Sequence, residues 1–454
     1  MSVKTGGAVR FVLFAACAAQ FMLVLDVSVV TVALPTMGRD LGIGDQALQW
    51  IINAYVLVFA GLLLLGGRLA DLFGRRRIFL SGLVLFTAAS LFGGLATAGW
   101  ALIAARAGQG FGAAVLAPTT LTMITTTFPE GSGRTRAIAA WTAMGFAGGA
   151  AGGVLSGVLT EYLTWRSTLL INVPIGVVAI ALVVRQLEGD ELTVRRSLDV
   201  PGAVLATGGL TALTYAVSQG GAYGWTAPSF YWGLIAAVVL LALFVLVEHR
   251  YAATPLIPLR LLRIPAIARG NVASVLAGAC MVPMWYFLTL TVQHTLHYSP
   301  LQAGLALLPH ALVSIVVGVR VTPWLMSRVD GRTLVVFGAS LAAAGFWWQS
   351  LLTPDMGYVL GILGPALLIS SGGGLLNTPI TTIAASGAGP AEAGAVSGLL
   401  TTARQSGAAI GLAVLVSISG THLDRAWLAT AITLLFLAVF AFFLPAQRDS
   451  ARVS

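Results

Sequence analysis

The sequence predicts an all-α polytopic membrane protein with 14 transmembrane helices in a 6+2+6 layout. Three observations carry this. The 454 residues are 57% hydrophobic and only 9% charged, with a mean hydropathy of +0.91, which no water-soluble chain of this length requires. The apolar residues fall in repeated runs long enough to cross a bilayer. The cations cluster in alternate connections between those runs, as they do when positive loops stay inside.

Taken in order, the spanning segments are expected at about 11–33, 48–66, 78–98, 100–127, 136–160, 166–185, 200–218, 229–247, 266–292, 300–326, 333–352, 357–384, 395–418 and 426–444. Hydrocarbon offers no backbone partners, so runs of this length are helices. Barrel strands are far shorter. The first run follows Lys4 and Arg10, exceeds 20 residues and lacks a small-residue cleavage site, so it reads as a retained span. Cys17 and Cys280 both lie in apolar runs and read as packing residues. The two largest charged connections, 185–199 and 248–269, bracket the helix pair 200–247. The expected organisation is an N-terminal six-helix bundle (1–188), a linker with the extra helix pair (189–250), and a C-terminal six-helix bundle with a short tail (251–454). Two such bundles related by an axis along the membrane normal are a transporter plan.

The formal net charge is +9. With the N-terminus inside, Arg39, Arg166 and Arg425 fall outside, Arg106, Arg320 and Arg404 fall within helices, and every other Lys and Arg is cytoplasmic. This distribution sets orientation, with both termini cytoplasmic in a cell membrane. It carries no sign of nucleic acid.

Asp26 lies deep in the first span, in Leu25-Asp26-Val27-Ser28. A carboxylate there costs roughly 2.5–3.5 kcal/mol on insertion scales. It needs a partner, a wet cavity or a proton. Span 4 carries Arg106, a guanidinium that does not shed its proton and needs an acceptor. Pairing would favour the charged form of Asp26 and desolvation would oppose it, so a change in their separation would link protonation to conformation. A purely structural Arg106, capping backbone carbonyls, is the alternative. Between spans 2 and 3, Gly67, Asp71, Gly74, Arg75, Arg76 and Arg77 form a segment in which glycines allow tight turns and Asp71 is placed to latch onto a neighbouring helix end or arginine. A plain basic anchor at the lipid headgroups is the alternative. Span 5 is rich in small residues, among them Gly148, Gly152 and Gly157, which permit close helix approach.

These residues also carry a resemblance. Residues 67–77 match the G-x-x-x-D-x-x-G-R-[RK]-[RK] loop of the major facilitator superfamily, and 102–114, Leu102 to Ala114 around Arg106 and Gln109, match its fourth-helix pattern. Residues 148–157 are similar to the fifth-helix antiporter motif, with Gly153 where that motif has Pro and Ser156 where it has Gly. Residues 162–166, 171–176, the Asp26 stretch and 397–407 resemble the 14-helix drug:proton antiporter branch. The resemblance implies the major facilitator fold and a proton-driven exporter of amphipathic drugs or antibiotics, with Asp26 and Arg106 in proton coupling. A proton-coupled or facilitated transporter of one metabolite is the alternative.

Further candidates for a substrate cavity are Asn53, Tyr55, Gln109, Trp285, Tyr286, His310 and Arg404. For the aromatics and for His310, ordinary packing competes with ligand contact. Arg404, about ten residues into span 13, reads either as an interhelical donor or as a cavity residue favouring neutral or anionic substrates. No phosphate-binding loop, nucleophile elbow or metal-ligand spacing occurs, so the expectation is no enzyme, no ATP, no metal and no cofactor, with the proton gradient as the driving force and a monomer as the working unit.

Overall fold

The computed structural model describes residues 6–128, 132–186, 199–250, 259–353, 356–386, 393–420 and 422–445, and their regular elements are helices. In chain order they are α1 (Gly6–Leu41), α2 (Asp45–Phe73), α3 (Arg75–Gly94), α4 (Gly99–Thr127), α5 (Ser132–Tyr162), α6 (Arg166–Leu170), α7 (Asn172–Gln186), α8 (Val200–Tyr223), α9 (Pro228–Arg250), α10 (Pro265–Met281), α11 (Pro283–Leu290), α12 (Pro300–Val316), α13 (Thr322–Met326), α14 (Gly331–Ser350), α15 (Gly364–Gly374), α16 (Asn377–Ala385), α17 (Ala393–Ser419) and α18 (Leu423–Ala441).

Twelve candidate spans, long and apolar enough to cross a membrane, occur among the described residues, against the 14 expected. The two expected segments outside that set lie in α2 and α14. Within α2 the described side chains form the apolar helix Ala47–Leu63, and Leu64 and Leu65 extend that run in the sequence. In α14 glycines, Ser340, Gln349 and Ser350 dilute the apolar character of 20 residues.

Helix α1 continues eight residues past the expected end at 33 and runs through Pro35. Its last turns are held by burial: Ala33, Leu34 and Met37 are inaccessible. Packing thus overrides the local tendency of proline to end a helix. Several spans are broken where the sequence supplies a cause. Pro283 starts α11 one residue after α10 ends, and Ile171 separates α6 from α7. Three π-helical turns, Thr291–Thr295, Val317–Val321 and Val359–Leu363, interrupt the later spans. Nothing in the apolar periodicity announced them.

The chain forms two compact units. The first comprises residues 1–207 with 298–305. In it α1 packs chiefly on α5, α2 and α3 on α4, and α3 also on α7. The second comprises 208–297 with 306–454. There α10 packs on α17, α14 on α18 and α14 on α15. Counting spans within each bundle, the first pairs with the fifth, the third with the fourth and the third with the sixth in both. The same pairing of spans thus recurs in the two units.

Candidate functional site

Asp26 is completely buried on α1. Its Oδ2 accepts from Arg106 Nη1 at 2.5 Å. Its Oδ1 accepts from Gln109 Nε2 at 2.8 Å and from Asn172 Nδ2 at 2.7 Å. Arg106 also donates from Nε to the Ile51 carbonyl at 3.0 Å and from Nη1 to Gln109 Oε1 at 2.8 Å. Its guanidinium lies 4.5 Å from the centre of the Tyr55 ring. Gln109 Nε2 reaches Ser90 Oγ at 2.8 Å, and Ser90 Oγ donates to the Phe86 carbonyl. Helices α4 and α7 thus bond the carboxylate of α1 directly, and α2 and α3 hold Arg106 and Gln109 in place.

Local sequence explains the convergence. Arg106 and Gln109 are three residues apart on α4 and share a face. Asn172 is the first residue of α7, directly after the break at Ile171. The network satisfies both amide hydrogens and the carbonyl of Gln109, which fixes its orientation. Paired and hydrogen-bonded charges are the condition under which a buried ion pair is tolerated. Asn53, also fully buried on α2, has both amide atoms without a partner, as does Asn172 Oδ1.

The small-residue seam of α5 packs on the stretch of α1 that carries Asp26. A Cβ at Gly148 would come within 2.6 Å of the Phe21 carbonyl, and one at Gly152 within 2.5 Å of Ser28 Cβ. Gly157 faces Pro300 and Leu301. Ser28 Oγ donates to the Gly149 carbonyl, and Ser156 Oγ to that of Val29. Ser156 thus stitches the seam with a hydrogen bond across it.

Gly74 joins α2 to α3 with φ +88, a conformation only glycine adopts freely. Gly67 packs against Pro118. Arg76 donates from Nη2 to the Val184 carbonyl at 3.0 Å, near the end of α7. Arg75 is half-buried. The side chain of Asp71 lies outside the described residues, so the contact with a helix end that is seen belongs to Arg76. At the far end of α1, Asp40 Oδ2 accepts from Trp165 Nε1 and Arg166 Nη1, both at 2.8 Å.

The remaining candidates separate. Tyr55 and Gln109, expected to line a cavity, join the Asp26 network: the Tyr55 ring faces the Arg106 guanidinium, and Gln109 bonds Arg106, Asp26 and Ser90. In the second unit, buried His310 faces Ser370 Oγ at 3.0 Å through Nδ1 and stands 6.1 Å from the Trp285 ring. Tyr286 is buried against Phe287. Arg404 Nη1 donates to Asn377 Oδ1 at 3.0 Å, so its acceptor is a side chain and no backbone carbonyl. Sequence reasoning missed Ser90, Asn172 as a ligand of Asp26, and a second glycine seam in which Gly278, Gly407 and Gly411 meet the backbone of Arg404, Val275 and Ala279. For the seam a signal existed: Gly407 and Gly411 are four apart on one helix face.

The family model for the Major Facilitator Superfamily matches residues 16–412. The chain is 54% identical over 448 residues to the cephamycin export protein CmcT of Amycolatopsis lactamdurans, covering 96% of this chain and 92% of that protein. It is 40% identical over 415 residues to the puromycin resistance protein pur8 of Streptomyces alboniger, covering 91% and 82%. An auto-inhibited POT family peptide transporter superimposes with a TM-score of 0.69 at 16% identity, over 98% of this chain and 99% of that one, which speaks to the fold alone. Multiple apolar spans around a buried ion pair, a family match over most of the length and export and resistance proteins as relatives agree: this chain belongs to the Major Facilitator Superfamily and is a membrane transporter.

Proposed function

We propose that the protein is a proton-coupled exporter of amphipathic antibiotics or drugs, working by alternating access with Asp26 as the proton acceptor. The observation that carries this is the buried Asp26–Arg106 pair, held in the middle of α1 and α4 by Gln109 and Asn172. The export and resistance proteins among the relatives supply the substrate class and the direction. On this reading α2 and α14 also cross the membrane, giving 14 spans, with both termini in the cytoplasm by the placement of the cations.

In the cycle, deprotonated Asp26 holds Arg106 and the substrate is captured from the cytoplasm. A proton arriving from outside neutralises the carboxylate, weakens its hold on Arg106 and favours return. One carboxylate carries one proton, worth about 2.3 kcal/mol per 100 mV if its charge crosses the whole membrane. No cofactor is needed, and a monomer suffices.

The test is substrate-dependent proton release by the purified protein, with Asp26→Asn beside the wild type. Release in the wild type and none in the variant is expected. Substrate transport without proton release would sink the coupling, and counterflow that favours uptake would sink the direction.

A further inference from the structure

We infer that the second unit holds a binding subsite for an organic carboxylate, built by Arg404 of α17 and Asn377 of α16. It rests on the exporter reading and narrows its substrates to amphipathic molecules carrying an acid group.

Depth comes first. Arg404 lies 11 residues from the start of α17 and 15 from its end, about 16 and 22 Å at 1.5 Å per residue. Both ends of α17 lie beyond the reach of the side chain, so Arg404 stands within the body of the helix. A guanidinium facing hydrocarbon at that depth is strongly disfavoured. Yet Arg404 is only half-buried, and its partner Asn377 is exposed. The accessible space beside them is therefore aqueous.

The neighbouring side chains support this independently. On α17, Ser397, Thr401 and Arg404 follow at four and three residues and form one polar stripe. On α16, Asn377 and Thr381 form another, both exposed. Thr401 and Thr381 donate their hydroxyl protons to the carbonyls four residues back. The two stripes flank the Arg404–Asn377 contact, so polar side chains of both helices gather beside the guanidinium.

The chemistry around Arg404 is one-sided. Arg404 spends one N–H on Asn377 Oδ1, an arrangement that leaves the Asn377 amide hydrogens pointing away as further donors. Arg404 makes no ion pair among the described residues. Within spans 265–295, 300–326, 331–350, 359–385 and 396–419 the sequence contains no Asp or Glu. The acids in the unit's other described helices, Glu248 and Asp424, lie at the ends of α9 and α18, and neither is paired with this guanidinium in the structure. A planar fork of donors suits a carboxylate bound through two parallel hydrogen bonds.

The experiment uses full-length protein in nanodiscs of zwitterionic lipid, so that no anionic headgroup competes. Equilibrium binding of cephalothin and of its methyl ester is measured for wild type, Arg404→Gln, Arg404→Lys and Asn377→Leu, each first checked for an unchanged melting temperature. The wild type is expected to bind the acid at least about tenfold tighter than the ester, Arg404→Gln to bind both alike, and Arg404→Lys to keep part of the preference. Equal binding of acid and ester by the wild type, binding of neither, or a preference that survives Arg404→Gln would overturn the site. If Arg404→Gln does not fold, Asn377→Leu and Arg404→Lys decide in its place: an acid preference undiminished in both overturns the site. Flux in proteoliposomes separates the two readings. Acid preference without outward flux removes the exporter and keeps the site, and flux without acid preference does the reverse.

Discussion

Replacing Arg106 by Met tests whether the central pair is an energetic unit. The side chain is 2% exposed, and its loss removes the donor to Asp26 Oδ2, the donor to the Ile51 carbonyl and the cation over Tyr55. Asp26 keeps two amide donors and loses its only charge partner among the described residues. Leaving one member of a buried pair alone typically costs about 3–5 kcal/mol. Asp26→Asn is milder, because Arg106 retains Gln109 Oε1, the Ile51 carbonyl and the Tyr55 face. Its cost should resemble that of one imperfect buried hydrogen bond, about 1–3 kcal/mol. The double variant should then be less destabilised than the sum of the two by about 2 kcal/mol or more. Thermal unfolding of all four proteins in the same detergent measures this. For a bundle of this size each kcal/mol corresponds to roughly 2–4 °C, so Arg106→Met should melt on the order of 10 °C lower. Strict additivity of the two substitutions would refute the coupling that the geometry implies.

The seam between α1 and α5 should be sensitive at one glycine and tolerant at its neighbour. Gly152→Ala places a Cβ 2.5 Å from Ser28 Cβ and should lower stability by about 1–3 kcal/mol, whereas the nearest atom to a Cβ at Gly149 is 3.5 Å away and Gly149→Ala should be neutral or better; melting curves compare them. In the second seam a Cβ at Gly411 would overlap the Ala279 carbonyl, so Gly411→Ala should reduce folded yield on size-exclusion chromatography. Gly74→Ala forces an L side chain to φ +88, costing about 1–3 kcal/mol, and unfolding midpoints should fall accordingly. Tyr55→Phe should leave stability nearly intact, since the ring face is what Arg106 meets, while Tyr55→Leu should lose about 0.5–2 kcal/mol in the same measurement.

The helical architecture was legible because apolar run length and cation placement are direct consequences of bilayer chemistry. The central pair was legible for a related reason. Asp26 and Arg106 are costly alone, and within the first half each was the natural partner for the other. What stayed hidden were groups whose cost is small. Ser90 and Asn172 are neutral, and neutral polar residues occur in many helices, so nothing in one dimension marks them as ligands of a carboxylate. Tyr55 and Gln109 stood out as polar residues within spans, but their contacts with Arg106 and Asp26 did not, because polarity within a span does not say which face of the helix it occupies. The π-helical turns add one residue to a turn without altering composition. The count of spans differs at α2, where the described apolar helix is Ala47–Leu63, and at α14, where glycines, Gln349 and Ser350 dilute a helix of 20 residues.

The arrangement around Asp26 also bears on how a buried ion pair can be opened by so small a driving force. Full loss of partners for a buried guanidinium would cost several kcal/mol, more than one proton supplies at 100 mV. Arg106, however, is held from three further directions: Gln109 Oε1, the Ile51 carbonyl and the ring of Tyr55. When Oδ2 takes a proton, the guanidinium gives up one interaction of four and is not stranded. Oδ1 meanwhile retains both amide donors, so the neutral carboxyl stays hydrogen-bonded on the side away from Arg106. The cost of switching is thereby cut from that of an orphaned charge to that of one charge-assisted hydrogen bond, about 1.5–3 kcal/mol. That is the scale of the proton gradient. On the proposed mechanism, the neutral residues around the pair are what bring proton binding at Asp26 within range of the available free energy.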